Sequence, residues 1–312
     1  MDTKFFLTIL ISILIISSLI MVFSLKGHIT GNIVYEKNSK NSIEIKGSDT
    51  LLQLVSNLAE SYSADSLNAR ISVTGGGSGT GIAALINGEV DIADASRRIK
   101  DKEIAEAKER GINPLEFIIA RDMLSVIVNE ENSISKLTVE EIGKIYKGEI
   151  TNWKDIGGAD KQITLYGRQS TSGTYDFFME TVLEDDYSPE MRNLESNKAI
   201  LESVKQDKTG VGYVGIGYVK DEFGNQVKGI NIIRVSNGID YILPLDKTKI
   251  ADYPISRPLY QYFAKKPKQG EVNYDFLMFE LSDKGQKIVE KTGFVKILDD
   301  DKSHNNEMLK RL

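Results

Sequence analysis

The chain has 312 residues, a formal net charge of −6 and 41% hydrophobic content, enough for one large or two medium domains with real cores. It has no cysteine, which excludes disulfides, thiol catalysis, thiolate metal sites and lipid attachment through an N-terminal cysteine. Its two histidines, His28 and His304, lie in polar segments near the ends, which removes the Ser-His-Asp triad and His-ligated zinc, and the acidic balance argues against a nucleic-acid partner.

Residues Phe5–Leu25, FFLTILISILIISSLIMVFSL, form an uncharged apolar run between Lys4 and Lys26. About 20 such residues span a bilayer as a helix, whereas a cleavable signal core is usually about 7 to 15. No A-x-A cleavage site follows. Residues 1–25 are therefore expected to be an uncleaved signal-anchor, with a cleaved signal peptide as the alternative. Lys4 and the N-terminal amine are a weak positive-inside signal, offset by Asp2 and Lys26, and the body is expected on the extracytoplasmic face of the membrane. Residues 26–42, KGHITGNIVYEKNSKNS, read as a flexible tether.

From Ile43 short apolar runs alternate with amphipathic stretches, the pattern of an α/β domain. IEIKGSDT reads as a strand and turn, with Asp49 or Thr50 capping a helix whose Leu51, Leu54, Val55, Leu58 and Tyr62 recur at helical spacing. ARISVT is a strand closed by Gly75, Gly76 and Gly77, and GTGIAALING begins a helix. VDIADAS is a third strand, followed by the charged helix of KDKEIAEAKERG. LEFIIA and MLSVIVN are strands, and Thr138 to Glu141 forms a capping box before EEIGKIYKG. Later, VGYVG, INIIRV and YPISRPLYQYF read as strands and SDKGQKIVEKTG as a last helix, before a loose polar tail over residues 299–312.

One event recurs: a strand ends in Gly, Ser, Thr or Asp, and a helix begins. It occurs at GSDT, at GGGSGTG and at GRQSTSGT, while ADASR ends a strand with similar residues. In GRQSTSGTYDFF, Arg168 precedes Ser170, Thr171, Ser172, Gly173 and Thr174. Singly, such hydroxyls are helix caps. Together, backbone N–H groups, hydroxyls and one guanidinium can converge on a tetrahedral oxyanion. GVGYVG matches G-x-G-x-x-G, but polar QDKT precedes it and strand formers fill it, so a glycine-rich strand is expected rather than a dinucleotide loop. GGGSGTG lacks the Lys of a P-loop, and no G-x-S-x-G elbow is present.

In this order KGSDTLLQLV, TGGGSGTGIAALINGEVDIADASR, ITNWKDIGG, GRQSTSGTYDFF, GVGYVGIGYV, YPISRPLYQYF and KGQKIVEKTGFV resemble successive blocks of the phosphate-binding protein of Pst-type phosphate ABC transporters, from Ile43 to Ile297. The resemblance implies a two-lobed, type II periplasmic-binding-protein fold with the ligand cleft between lobes joined by two crossover strands. It implies that the chain binds inorganic phosphate and delivers it to permease subunits, with no cofactor, no metal, no catalysis and a monomeric state. Residues 43–127 and 254–298 would form lobe 1 and residues 128–253 lobe 2, with crossovers near Val126 to Glu130 and Asp252 to Pro258.

Carried over by motif, the phosphate ligands are Thr50, the Leu51 amide, Ser78, Arg168, Ser172, Gly173 and Thr174. Ser96 stands where the family often has an aspartate that accepts the phosphate proton, and Asp49 and Asp94 are candidates for the acidic acceptor or the arginine partner. A hydroxyl at Ser96 discriminates against sulfate less strictly than a carboxylate. The alternatives are a protein for another tetrahedral oxyanion such as sulfate, and a phosphoester-acting enzyme.

Overall fold

The computed structural model describes residues 41–66, 69–221 and 224–311. The anchor expected over residues 1–25 and nearly all of the tether lie outside these residues; Ser42 already opens the first strand. Among the described residues no helix is long and apolar enough to cross a membrane.

The chain first builds β1 (Ser42–Gly47), α1 (Asp49–Asp65), β2 (Arg70–Thr74), α2 (Ser78–Ile86), β3 (Ile92–Ala95), α3 (Asp101–Glu109) and β4 (Leu115–Met123). β1 pairs in parallel with β2 and with β3, so the turns that follow these three strands collect at one end of the sheet. Ile43 and Ile45 of β1 pack against Leu51, Leu54, Val55 and Leu58 of α1, all nearly inaccessible, as their 2- and 3.6-residue periods require. Ser48 precedes α1, and the expected caps Asp49 and Thr50 are instead its first two residues.

A second sheet follows: β5 (Ser125–Asn129), β6 (Lys136–Thr138), α4 (Val139–Lys147), β7 (Thr164–Arg168), α5 (Gly173–Phe178), β8 (Arg192–Leu194), α6 (Asn197–Gln206), β9 (Gly210–Val214), β10 (Ile230–Ile232), β11 (Arg234–Ser236) and β12 (Tyr241–Ile242). The chain then returns as β13 (Ser256–Phe263), α7 (Val272–Leu281), α8 (Asp283–Lys291) and α9 (Asp299–Lys310). The first sheet has the order β2-β1-β3-β13-β4 and the second β10-β5-β9-β7-β8; β12-β11-β6 form a small third sheet. In each large sheet one strand reaches in from the other half of the chain and runs antiparallel to its neighbours: β13 in the first, β5 in the second. This is a two-lobed α/β fold.

The chain passes from β4 to β5 at Leu124, whose amide donates to Ile255 O (3.0 Å) and whose carbonyl accepts from the Tyr253 hydroxyl (2.8 Å). The two passages between sheets therefore lie side by side. MLSVIVN, expected as one strand, is divided at Leu124, and Val126 and Ile127, assigned from sequence to the first lobe, pair within the second sheet. An unbroken apolar run carries no mark of that change of sheet. INIIRV likewise splits between β10 and β11, which join different sheets. The capping box holds, with Glu141 N donating to Thr138 Oγ1 at 3.0 Å, and GVGYV is a buried strand.

The tail expected to be loose is α9. Asp299, Asp300 and Asp301 occupy its first turn, where carboxylates favour the helix dipole. β4 is the outer strand of the first sheet, and an open edge needs a partner. Asn305 supplies one by accepting from Ile118 N (2.9 Å) and donating to Ile118 O (2.8 Å), while Asp301 pairs with Arg121 at 2.6 Å.

Candidate functional site

The turns after β1, β2 and β3 on the first sheet and after β7 on the second face one another. Ser48 N donates to Asp94 O at 2.9 Å and Gly77 N to Gly47 O at 2.9 Å, which fixes the first three turns together. The β7 turn meets them through Gly79 N, which donates to Thr171 O at 3.0 Å. A Cβ on Gly77 would sit 2.5 Å from Thr171 O, so only glycine allows this approach. Similarly, a Cβ on Gly173 would lie 2.3 Å from Ser78 Oγ and 2.9 Å from Ser96 Oγ.

Four hydroxyls meet where these turns converge. Thr50 Oγ1 lies 3.0 Å from Thr174 Oγ1, Thr174 Oγ1 lies 3.4 Å from Ser96 Oγ, and Ser96 Oγ lies 3.3 Å from Ser78 Oγ. All four residues are almost fully buried. Ser172 caps α5 by accepting from Thr174 N at 3.1 Å. Arg168, also buried, donates through Nη2 to Asp49 Oδ2 (2.5 Å) and Glu195 O (2.8 Å), and its amide donates to the Tyr213 hydroxyl. Its Nε and Nη1 are buried without a hydrogen-bond partner among the described residues. A guanidinium with two unanswered donor nitrogens in a buried site demands an acceptor.

Beside it stands a second buried guanidinium. Arg257 donates from Nε (3.1 Å) and Nη2 (2.8 Å) to Asp122 Oδ2, from Nη1 to Ser96 O (2.9 Å), and from Nη2 to Thr174 Oγ1 (3.0 Å). Asp122 also accepts from Ile216 N at 2.8 Å. Burial lowers the Arg257 pKa and the like charge of Arg168 adds to that push, against the pull of Asp122. Burial raises the Tyr213 phenol to about 12, so it stays neutral behind Arg168. Asn197 completes the wall, accepting from Gly215 N (3.1 Å) and donating to Thr50 Oγ1 (3.4 Å). Across the same junction Asp176 of α5 pairs with Arg97 (2.8 Å) and Lys100 (2.9 Å) beyond β3.

Of the residues expected from sequence, Thr50, Ser78, Ser96, Ser172, Gly173 and Thr174 come together, and Asp49 joins Arg168. Two do not take the expected place. The Leu51 amide closes the first turn of α1 on Ser48 O at 3.0 Å. Asp94 points away, accepting from Gln261 Nε2 (3.1 Å), which also donates to Glu280 (3.2 Å), and burial raises the Asp94 carboxyl to about 8. Sequence reasoning missed Arg257, Asp122 and Asn197. The first two carried a signal, since each is a charge inside an apolar strand run, SRPLYQYF and FIIARDML, where it needs a buried partner. Asn197 carried none. No group of three or more His, Cys, Asp or Glu able to hold a metal occurs among the described residues.

Two lobes with neutral donors and buried guanidinium groups gathered at their junction define a solute-binding protein for a small anion. The family model described as PBP superfamily domain matches residues 35–284. The phosphate-binding protein PstS of Staphylococcus haemolyticus (strain JCSC1435) is 36% identical over 264 residues, covering 83% of this chain and 82% of the relative. A Clostridium perfringens substrate-binding protein, described as a phosphate ABC transporter component and solved with bound phosphate, superimposes with a TM-score of 0.72 at 28% identity, over 83% of this chain and 100% of that one. An ABC-type phosphate transport receptor of Vibrio cholerae gives a TM-score of 0.65 at 28% identity, over 82% and 100%. The chain belongs to the PstS family of phosphate-binding proteins within the PBP superfamily.

Proposed function

We propose that this protein captures inorganic phosphate outside the cell membrane and delivers it to the permease subunits of an ABC transporter. The observation that carries this reading is Arg168, buried with Nε and Nη1 unpartnered beside a cluster of four buried hydroxyls. Thr50, Ser78, Ser96, Ser172 and Thr174 are the proposed hydroxyl ligands, with Gly173 keeping the turn close and Asp49 orienting Arg168. The names of the relatives at 36% identity support phosphate as the solute. The lobes are proposed to be residues 43–124 with 254–311, and residues 125–253, hinged at the paired passages of Leu124 and Ile255. The apolar run Phe5–Leu25 is proposed to anchor a monomeric body to the outer face of the membrane.

Binding without turnover separates this from an enzyme that uses phosphate esters. The full chain, in equilibrium dialysis with labelled phosphate, is expected to hold one equivalent, with or without chelator, and to release none from a phosphomonoester. No retained phosphate, or ester hydrolysis that depends on Arg168, would contradict the proposal.

A further inference from the structure

Next to the hydroxyl cluster the two lobes also meet through charge. Arg97 directly follows Ser96, and Asp176 stands two residues after Thr174, so the pair flanks the turns that converge on the anion. Asp176 lies 2.8 Å from Arg97 Nε and 2.9 Å from Lys100 Nζ. The Arg97 and Asp176 side chains are 6% and 11% exposed, so water screens this contact only in part. Gly79 lies between the two halves: its amide donates to Thr171 O, and a Cβ there would sit 3.3 Å from that oxygen and 3.8 Å from Arg97 Nη2. The charged contact and the turns therefore come together in one movement.

The first-lobe half is assembled without help from the second. Glu103 of α3 accepts from Arg97 Nη1 (2.8 Å) and Nη2 (2.7 Å), and its Oε2 also accepts from the Lys100 amide (2.8 Å). Arg97 Nη1 donates as well to Arg98 O at 2.8 Å. This two-pronged hold fixes the plane of the guanidinium and leaves Nε turned toward Asp176. The second-lobe half has no such brace, since among the described residues both ion pairs of Asp176 are with the first lobe. Opening the cleft therefore leaves Arg97 paired with Glu103, while Asp176 exchanges two cations for water. Closing the cleft restores both contacts, and no anion takes part in either.

We propose that Asp176, received by Arg97 and Lys100 on their Glu103 brace, is a latch that draws the lobes together independently of the anion. Part of the ligand-free population is then already closed, and phosphate affinity depends on residues outside the ligand shell. For its ligand the inference rests on the phosphate-binding reading; the latch itself rests on the contacts between the lobes. Apparent affinity falls with the fraction of molecules in the binding-competent form, so a weaker latch weakens binding without altering any contact to phosphate.

Two measurements on the full chain test this: small-angle scattering without ligand, and calorimetric titration with inorganic phosphate. Asp176→Asn keeps the shape of the side chain and removes its charge. It is expected to give a more extended ligand-free particle than wild type and to weaken phosphate binding by about three- to thirtyfold, the range for two partly buried ion pairs. Lys100→Met, at the more exposed partner, is expected to shift both readouts in the same direction by less, and it decides alone should Asp176→Asn fail to fold. Asp176→Glu, which restores the charge, is expected to recover part of the affinity. Phosphate affinity within two-fold of wild type in Asp176→Asn, or a ligand-free scattering curve identical to that of wild type, overturns the latch and leaves the phosphate reading intact. Failure of wild type to bind phosphate overturns that reading instead, and the ligand-free curves then decide the latch.

Discussion

Arg257 and Asp122, 2% and 0% exposed, are a fully buried ion pair behind the hydroxyl cluster. Removing one member leaves an uncompensated charge in a dry environment and costs about 3 to 5 kcal/mol, whereas replacing both with apolar groups is often close to neutral. Arg257→Met is therefore expected to lose about that much stability in urea unfolding, and Arg257→Met with Asp122→Leu to recover most of it. Equal losses in both variants would show that the pair does not act as a unit. Asp94 makes a different forecast. Its carboxyl is raised from 3.8 to about 8 by burial, with the hydrogen bond from Gln261 pulling the other way. Between those values the folded chain holds a proton that the unfolded chain has released, so this contribution to stability is complete below about pH 4 and is lost as pH rises toward about 8. Asp94→Asn keeps the group neutral and should flatten that decline in pH-dependent thermal unfolding. An unchanged slope would contradict the assignment.

The turn from β7 into α5 brings Arg168, Ser172, Gly173 and Thr174 into the site, and its closeness to the first sheet depends on the missing side chain at Gly173. Gly173→Ala places a carbon 2.3 Å from Ser78 Oγ, so the turns must separate by a large fraction of an ångström. Phosphate affinity is expected to fall at least tenfold while the unfolding midpoint moves little, because the change props open a junction between lobes rather than filling a core. Affinity unchanged in calorimetry would mean that the turns do not close on the ligand.

The turns themselves were legible in the sequence because they are local: a strand, a run of Gly, Ser and Thr, then helical spacing, all within about ten residues. Their partners were not. Arg257 and Asp122 lie 135 residues apart in the chain, and only the return of β13 between β3 and β4 brings them together. Helix α7 was missed because Phe276, Leu277, Met278 and Phe279 run consecutively and give no amphipathic stripe. Helix α9 was missed because its stability comes from Asn305 and Asp301 meeting β4, long-range contacts that a polar sequence does not announce.

At the scale of the molecule, the chain passes between the two large sheets at Leu124 and again near Ile255, and these two passages are hydrogen-bonded side by side. Such a joint permits hinge closure around a ligand. The contacts that span the junction are polar: Thr50 with Thr174, Asp49 with Arg168, and Asp176 with Arg97 and Lys100. Polar contacts of this kind are expected to hold a closed form weakly unless an anion supplies the acceptor that Nε and Nη1 of Arg168 lack. Small-angle scattering should therefore report a more compact particle with saturating phosphate, and identical curves with and without it would argue against a hinge.

Phosphate binding is expected to depend most directly on Arg168. Charge-assisted hydrogen bonds contribute about 1.5 to 3 kcal/mol net, which corresponds to roughly ten-fold to a few hundred-fold in affinity. Calorimetric titration of phosphate into wild type, Arg168→Ala and Arg168→Lys at one pH and ionic strength is the measurement. The expected result is a loss in that range for Arg168→Ala, only partly restored in Arg168→Lys, because an ammonium lacks the planar fork. Affinity of Arg168→Ala within two-fold of wild type would remove this arginine from the site and contradict the account.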